Sequence, residues 1–437
     1  MGGSIMNKIL LINLPIQSYV QRDFAKLHNY NPALGLLSLG TWLEFNGYTP
    51  IIIDLCFERK TLKDILNIIK EENPVLIGIS VYTETIDMAV QLSKAIKESF
   101  PDAKIALGGA HPTLAPEDSI SSDYVDFVIR KEGESILLEL VEAIISNQKT
   151  IKYSDIPGLV YKKNSEVVKN PLRRPIEDLD LLPIVKRELV DIERYGNNVA
   201  ISTGRGCPGK CIYCAATSLS GASIRMRDVK NVFMEIVNLK TVSKGEIFQI
   251  QIVDDTFTSD PERVKEFCKL IRGHKLNIFW NCESRVDSIS EELLDSMASS
   301  GCKAIQYGIE SGSQDVLDKI RKGIDLEVAR SIIDLTYNKR ILPILSFMFG
   351  HFCDTKDTMG ETLEFMKEMF SKYKLELALS FNTPFPGTWQ HTNMDKLGMR
   401  FVTQRKSALN LLEPVVETDA FDTDDQRELF VEARPYL

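Results

Sequence analysis

Apolar, β-branched runs and amphipathic stretches take turns along almost the whole of this chain. That alternation confines it to α/β architectures built on parallel sheets. In the first third, strands are expected at Lys8–Leu14, Thr49–Asp54, Val75–Ser80, Lys104–Leu107 and Val125–Ile129. Helices are expected at Leu34–Asn46, Leu62–Glu72, Thr85–Phe100 and Glu134–Ile145. The strands are nearly continuous in apolar residues, so both faces of their sheet must be covered. With right-handed crossovers this predicts a doubly wound, Rossmann-like domain over residues 1–150. Ligands on such sheets sit at the carboxyl ends of the strands. The loops there begin at Pro15 and span Asp54–Arg59, Ser80–Thr85 and Gly108–Pro116. Gly108-Gly109 either closes a tight turn or lets backbone approach a ligand, and spacing alone leaves both readings open. The first strand–helix turn lacks G-x-G-x-x-G, which argues against a nicotinamide or flavin site.

Residues 151–195 change character. Pro157, Pro171, Pro175 and Pro183 interrupt any helical period, so this segment reads as a linker, with Ile156–Val160 and Tyr161–Val167 paired as a small hairpin. A second series follows over residues 196–388. Strands are expected at Asn198–Ser202, Ile247–Val253, Asn277–Asn281, Ala304–Tyr307, Ile344–Phe349 and Leu375–Phe381, with helices at Pro261–Ile271, Glu291–Ser300 and Met359–Phe370. Six such units predict an open, partial (β/α)6 barrel. Polar residues recur after its strands: Asp254, Asp255, Glu283, Arg285 and Glu310, with Gly350 at the fifth. Any one could be a helix cap, but their recurrence at the chemistry-bearing face of a barrel makes them a candidate set. Residues 389–437 are a short C-terminal extension, whose acidic stretch Thr418–Asp425 reads as a solvated face.

Composition narrows the function. The 437 residues carry 52 Lys+Arg against 61 Asp+Glu, a formal charge of -9, which argues against a broad nucleic-acid surface. No apolar run approaches the roughly 18 residues of a spanning helix. Met1–Ile5 resembles a remnant ahead of a natural start at Met6, with no signal peptide, so a cytoplasmic location is expected. Of eight cysteines, Cys56, Cys268, Cys282, Cys302 and Cys353 are scattered among apolar neighbours, as buried thiols are. Cys207, Cys211 and Cys214 crowd into eight residues. Three thiolates at C-x3-C-x2-C spacing fold around a cubane iron–sulfur cluster, with Gly and Pro supplying the turns. Zinc calls for a fourth ligand, and His274, His351 and His391 are isolated in sequence. Three ligands leave one iron open to a small molecule bearing an amine and a carboxylate.

The run Gly204-Arg-Gly206-Cys207 through Cys211, Tyr213 and Cys214 resembles the C-x3-C-x-aromatic-C signature of the radical S-adenosylmethionine (SAM) superfamily. The resemblance implies a 4Fe-4S cluster on the three cysteines, with SAM chelated at the open iron and cleaved reductively to a 5′-deoxyadenosyl radical. Pro32–Leu39, Gly108–Thr113, Val253–Phe257, Glu283–Asp287, Tyr307–Ser313 and Thr383–Thr388 are further similar to the branch carrying a cobalamin-binding domain. By that resemblance Asp254 or Asp255 meets the SAM amine, and Arg285 and Glu310 its carboxylate or ribose. Glu283 shares their face, the backbone near Tyr213 flanks the adenine, and Gly350 lets the fifth strand come close. Ser80, Val81, Tyr82, Thr83, Gly108 and Gly109 would cradle the corrin and its nucleotide tail. The cobalt-ligating D-x-H-x-x-G motif is absent, because Asp54–Glu58 offers no imidazole; the domain is then either a binder without a protein nitrogen ligand or a vestige packed on the barrel.

The expected function is cobalamin-dependent methyl transfer from SAM to an unactivated carbon of a small-molecule or peptide substrate. An external donor of flavodoxin or ferredoxin type supplies electrons. The alternatives are a non-methylating radical SAM enzyme that cyclises, rearranges or oxidises its substrate, and a non-catalytic iron–sulfur protein. A methylthiotransferase acting on tRNA is disfavoured by the acidic charge and the short tail. No catalytic side chain beyond these cofactor contacts is assigned.

Overall fold

Four consecutive residues of the first strand feed two different cores. In Lys8–Asn13 (β1), Ile9 and Leu11 pack on one face of the sheet, Leu10 and Ile12 on the other, and all four are fully buried. The first face is covered by Leu34–Phe45 (α1) and Glu134–Ile145 (α4). The second is covered by Leu62–Glu72 (α2) and Ile86–Ser99 (α3). A strand buried on both faces needs apolar residues at every position, which is why KILLIN shows no in–out alternation. Local signals set the helix ends. Thr61 and Asp64 form a reciprocal cap at the start of α2, and Asn73 ends it in a left-handed conformation (φ 44°) ahead of Pro74.

The computed structural model describes residues 7–16, 31–195, 198–243, 249–373 and 375–437, in two units, Met1–Gly196 and Asn197–Leu437. Met1–Ile5, the loop expected beyond Ile16 up to residue 30, and Ile247–Phe248 of one expected strand lie outside the described residues. In the first unit the sheet runs Thr49–Asp54 (β2), β1, Leu76–Ser80 (β3), Ile105–Gly108 (β4) and Phe127–Ile129 (β5), all parallel. Leu159–Lys163 (β6) and Glu166–Lys169 (β7) then extend it antiparallel.

Two expectations need correction here. The segment 151–195 is no free linker: its hairpin completes the first sheet, and its remainder belongs to the first unit. The hairpin also starts later than expected. A two-residue reversal needs positive φ at both central positions, and Asn164 (51°) and Ser165 (67°) supply it.

The second unit holds six parallel strands in the order Asn198–Ile201 (β8), Gln249–Ile252 (β11), Phe279–Ser284 (β12), Cys302–Glu310 (β13), Leu342–Phe349 (β14) and Glu376–Phe381 (β15). A short ladder, Gly204–Arg205 (β9) with Arg225–Met226 (β10), flanks the cysteine loop. Side-chain caps start the outer helices: Asp260 for Pro261–Gly273 (α5), Ser290 for Glu291–Ser299 (α6), Asp325 for Leu326–Asn338 (α7) and Thr355 for Lys356–Lys372 (α8).

The acidic stretch at 418–425 is likewise more than a solvated face. Asp422 caps Thr423–Ala433 (α9), Phe421 is buried, and α9 packs on α8 through the pairs Lys356–Glu428 and Lys367–Glu432. The scattered cysteines divide: Cys268, Cys282 and Cys302 are buried, whereas Cys56 and Cys353 are only half-buried. Among the described residues no helix is long and apolar enough to cross a membrane.

Candidate cluster and ligand site

The cysteine loop begins where β8 ends, and its entry is fixed by one buried carboxylate. Asp254, just past β11, accepts the backbone N–H of Thr203 at 2.6 Å and of Gly204 at 3.1 Å, and also the Thr203 hydroxyl. Arg263 on α5 closes the arrangement from outside, donating to the carbonyls of Thr203 and Arg227, each at 3.0 Å. Burial pushes the Asp254 carboxyl above its usual range, while these donors pull it back. Gly206 follows with φ 106°, where a Cβ would stand 2.2 Å from the Ser223 carbonyl oxygen, so only glycine fits this turn.

The loop itself is clamped at Ile212. Its N–H donates to the Ile320 carbonyl at 3.2 Å, and its carbonyl accepts from Gln390 N–H at 3.0 Å. Thr217 donates to the carbonyls of Cys207 and Gly209. Cys207, Cys211 and Cys214 are free thiols. Desolvation by the surrounding loop is the first cause that pushes the Cys214 thiol up to about 11, and the neighbouring Cys211, Cys207 and Asp255 add to it. A Cβ on Gly209 would lie 3.3 Å from Cys207 Sγ and 3.8 Å from Cys211 Sγ, so this glycine leaves the space between two sulfurs clear. Among the described residues no group of three His, Cys, Asp or Glu side chains could hold a single metal ion. Three corners of a cubane each take one thiolate and are spaced more widely than the ligands of one ion. The donor set and the cleared space fit a 4Fe-4S cluster.

Glu283 lies within electrostatic reach of three other carboxylates at the barrel's carboxyl end. Burial, then Asp255, Asp254 and Glu310, push Glu283 up to about 7. Burial and Asp254 raise Asp255. Glu283 and Glu310 are corrected in place: they lie on β12 and β13 themselves, not in the loops beyond. A bulge at Gly308–Glu310 puts Glu310 at φ 71° and turns it onto Lys322 Nζ at 2.8 Å. Gly308 makes room for this buried pair, since a Cβ there would stand 2.6 Å from Glu310 Oε1 and 2.8 Å from Lys322 Nζ. Arg285 lies within electrostatic reach of Cys207 and Cys211, but its guanidinium is held by Asp287 (2.8 and 2.9 Å) and by the carbonyls of Lys322 and Gly323.

Two further expectations change. Asp254 is consumed by the loop entry, so of the two adjacent aspartates Asp255 is the one left exposed. Gly350 (φ 85°) accommodates Gln426 of α9, whose Oε1 would be 2.4 Å from a Cβ; the space above this glycine is filled by protein. Tyr213 is half-buried beside the cysteines and meets the His351 ring edge-on at 5.3 Å. Sequence reasoning passed over Lys322 and His351. Nothing in the spacing of Lys322 marks it, and His351 looked like an isolated histidine.

In the first unit the strand order reverses direction at β1 and β3, which puts the ligand crevice at the loops following those two strands. Of the residues expected there, Val81 and Thr83 are buried. Ser80, Tyr82, Gly108 and Gly109 form an accessible ledge: the serine and the two glycines carry little side-chain bulk, and the Tyr82 ring stands 46% exposed beside them. Gly109 takes φ 103° against Val81, whose carbonyl accepts His111 N–H at 3.1 Å. The buried His111 ring is engaged by Thr83 at 3.2 Å and Asp118 at 2.9 Å. Asp54 accepts from Asn13, Cys56 N–H and Tyr195. Among the described residues this ledge carries no idle imidazole, which fits a planar macrocycle bound without a protein nitrogen ligand.

A nucleotide-fold unit with an accessible ledge at its strand ends, followed by an open barrel with three thiols and an acidic mouth, defines a two-cofactor radical enzyme scaffold. The chain belongs to the radical SAM superfamily, in the branch with a B12-binding domain: the B12 binding domain family model matches residues 23–141, and the Radical SAM superfamily model residues 201–366. It is 29% identical over 433 residues to an uncharacterized methyltransferase of Pyrococcus horikoshii, covering 98% of this chain and 91% of that protein. It is 26% identical to the anaerobic magnesium-protoporphyrin IX monomethyl ester cyclase of Rubrivivax gelatinosus, covering 90% of this chain and 71% of the relative. Its fold matches the radical SAM methyltransferase TsrM of Kitasatospora setae, solved with cobalamin and a 4Fe-4S cluster, with a TM-score of 0.80 over 99% of this chain and 89% of that one, at 16% identity.

Proposed function

We propose that this chain is a cobalamin-dependent radical SAM methyltransferase acting on an unactivated carbon. The observation that carries the reading is the three-thiol loop, without a fourth cysteine in its motif, set beside an acidic barrel mouth. Cys207, Cys211 and Cys214 hold the cluster, and Ser80, Tyr82, Gly108 and Gly109 support the corrin. When bound, these groups supply a 5′-deoxyadenosyl radical from SAM and a transferable methyl group. SAM carries a sulfonium, and its amine and carboxylate are the groups that would chelate the open iron. Asp255 and Glu283, which repel one another, would be relieved by such a cation. Lys322 is placed to meet a carboxylate, with Glu310 as its counter-ion. Tyr213 and His351 wall off water beside the cysteines. Asp254 and Arg263 act as positioning residues, because they fix the loop and not the ligand. The substrate is a small molecule or peptide, the electron donor is an external carrier of flavodoxin or ferredoxin type, and the reaction belongs in the cytoplasm without a nucleic-acid partner.

The likeness to an anaerobic cyclase favours one second reading, a radical SAM enzyme of the same architecture that joins or oxidises carbons without adding one. Anaerobic turnover with methyl-labelled SAM separates the two. Methylation puts label into product and also yields 5′-deoxyadenosine. Cyclisation yields 5′-deoxyadenosine and unlabelled product. Reconstituted protein that never cleaves SAM, despite an intact cluster and supplied substrates, contradicts both. Cys207→Ala, Cys211→Ala and Cys214→Ala are each expected to abolish cluster loading, read from iron and sulfide content.

A further inference from the structure

The outer side of the cysteine loop carries charge and an aromatic surface that the reaction chemistry does not use. Lys210 is exposed between two of the cluster cysteines and makes no ion pair among the described residues. The bond from Ile212 N–H to the Ile320 carbonyl brings Arg321 alongside. Arg321 is exposed at φ 58° and also makes no ion pair among the described residues. The bond from Gln390 N–H to the Ile212 carbonyl brings Trp389 to the same place. Arg321 lies over the Trp389 ring, 5.5 Å from its centroid, and Trp389 remains 47% exposed. The two acids of the short helix just before Arg321 are engaged, Asp315 by Lys319 and Asp318 by the Gln314 amide.

We propose that Lys210, Arg321 and Trp389 form the docking surface for an acidic flavodoxin-type electron carrier. This rests on the radical SAM reading above. Each docking event passes one electron: the carrier is oxidised by one electron and the cluster held by the cysteines is reduced by one, with no bond made or broken between the proteins. Three arguments converge on that partner. The patch sits on the loop that holds the cluster, so a carrier seated there stands beside its electron acceptor. Exposed Trp and Arg are the residue types that dominate binding at interface centres. In a chain with a formal charge of -9, an acidic protein is repelled by the surface at large, so a local unpaired cationic patch dictates its approach.

The test compares wild type with Lys210→Glu/Arg321→Glu and with Trp389→Ala, using flavodoxin kept reduced by its reductase, or dithionite, to drive SAM cleavage in the full-length, cluster-loaded protein. Flavodoxin affinity is measured separately by titration without turnover. The charge-reversed protein should need at least about 10-fold more flavodoxin for half-maximal cleavage and bind it correspondingly more weakly. It should also lose the salt sensitivity shown by wild type and keep its dithionite-driven rate. Trp389→Ala should weaken binding without changing that salt sensitivity. Unchanged flavodoxin affinity in both variants overturns the docking surface, as does an equal loss with both reductants. Wild type that binds flavodoxin through the patch but fails to cleave SAM with dithionite overturns the radical SAM reading and leaves the surface standing.

Discussion

The His351 imidazole meets the Tyr213 ring edge-on at 5.3 Å, and among the described residues neither of its nitrogens has a hydrogen-bond partner. The contrast with His111 is direct, because that equally buried ring is bonded on both sides. Burial lowers the His351 pKa to about 4. An unfolded chain therefore takes up a proton between about pH 6.5 and 4 that the folded one refuses, and stability falls as pH drops through that window. His351→Leu should abolish most of this fall, which amounts to about 1–3 kcal/mol, and should leave the cofactor-free protein as stable or more stable at pH 7. Urea unfolding at pH 7 and pH 4.5 checks it; equal acid sensitivity in both proteins contradicts the assignment.

Glu283 titrates in the opposite sense. Its folded pKa of about 7 lies above the ordinary 4.5, so the folded state holds a proton that the unfolded state has released, and stability is lost as pH rises between those values. Glu283→Gln should match wild type near pH 4.5 and exceed it by about 1–3 kcal/mol at pH 8 in the cofactor-free protein. The same variant should bind SAM more weakly. Stability that does not diverge with pH would show that the carboxylate is not strained by its neighbours.

Asp254 is expected to matter before any ligand arrives. Asp254→Ala leaves the N–H groups of Thr203 and Gly204 without their acceptor and should cost about 2–4 kcal/mol of stability. Iron loading should fall with it, although all three cysteines remain. Full loading in a stably folded variant would mean the loop entry is held by something else.

At Gly350 the prediction separates strain from crowding. Gly350→Ala adds a left-handed backbone penalty of about 1–2 kcal/mol and a clash with Gln426. Adding Gln426→Ala should recover the clash and leave the backbone penalty, read as a partial return of Tm. No recovery would place the crowding elsewhere.

Much of the fold was legible because its signals are local. Thr49–Asp54, Leu62–Glu72 and Glu134–Ile145 form over the expected bounds, since strand or helix periodicity and caps lie within a few residues of each end. The hairpin at 159–169 was displaced because its turn depends on backbone sign at Asn164 and Ser165, which apolar patterning does not report. Within the site, adjacent Asp254 and Asp255 are indistinguishable in sequence, yet one holds a loop and the other faces open space.

By itself the sequence determined the order of strands and helices, the parallel sheets they imply, and a three-cysteine loop whose spacing already encodes a cluster. Each of these depends on residues near one another along the chain. Only the tertiary structure decided which carboxylates stay unpaired among the described residues, that Lys322 answers Glu310 across a bulge, that Gln426 fills the space above Gly350, and that His351 has no hydrogen-bond partner among them. Those outcomes arise from contacts between distant segments, and hydrogen bonding is exclusive: a group satisfied by one neighbour is withdrawn from the site, and no local pattern records which neighbour reached it first.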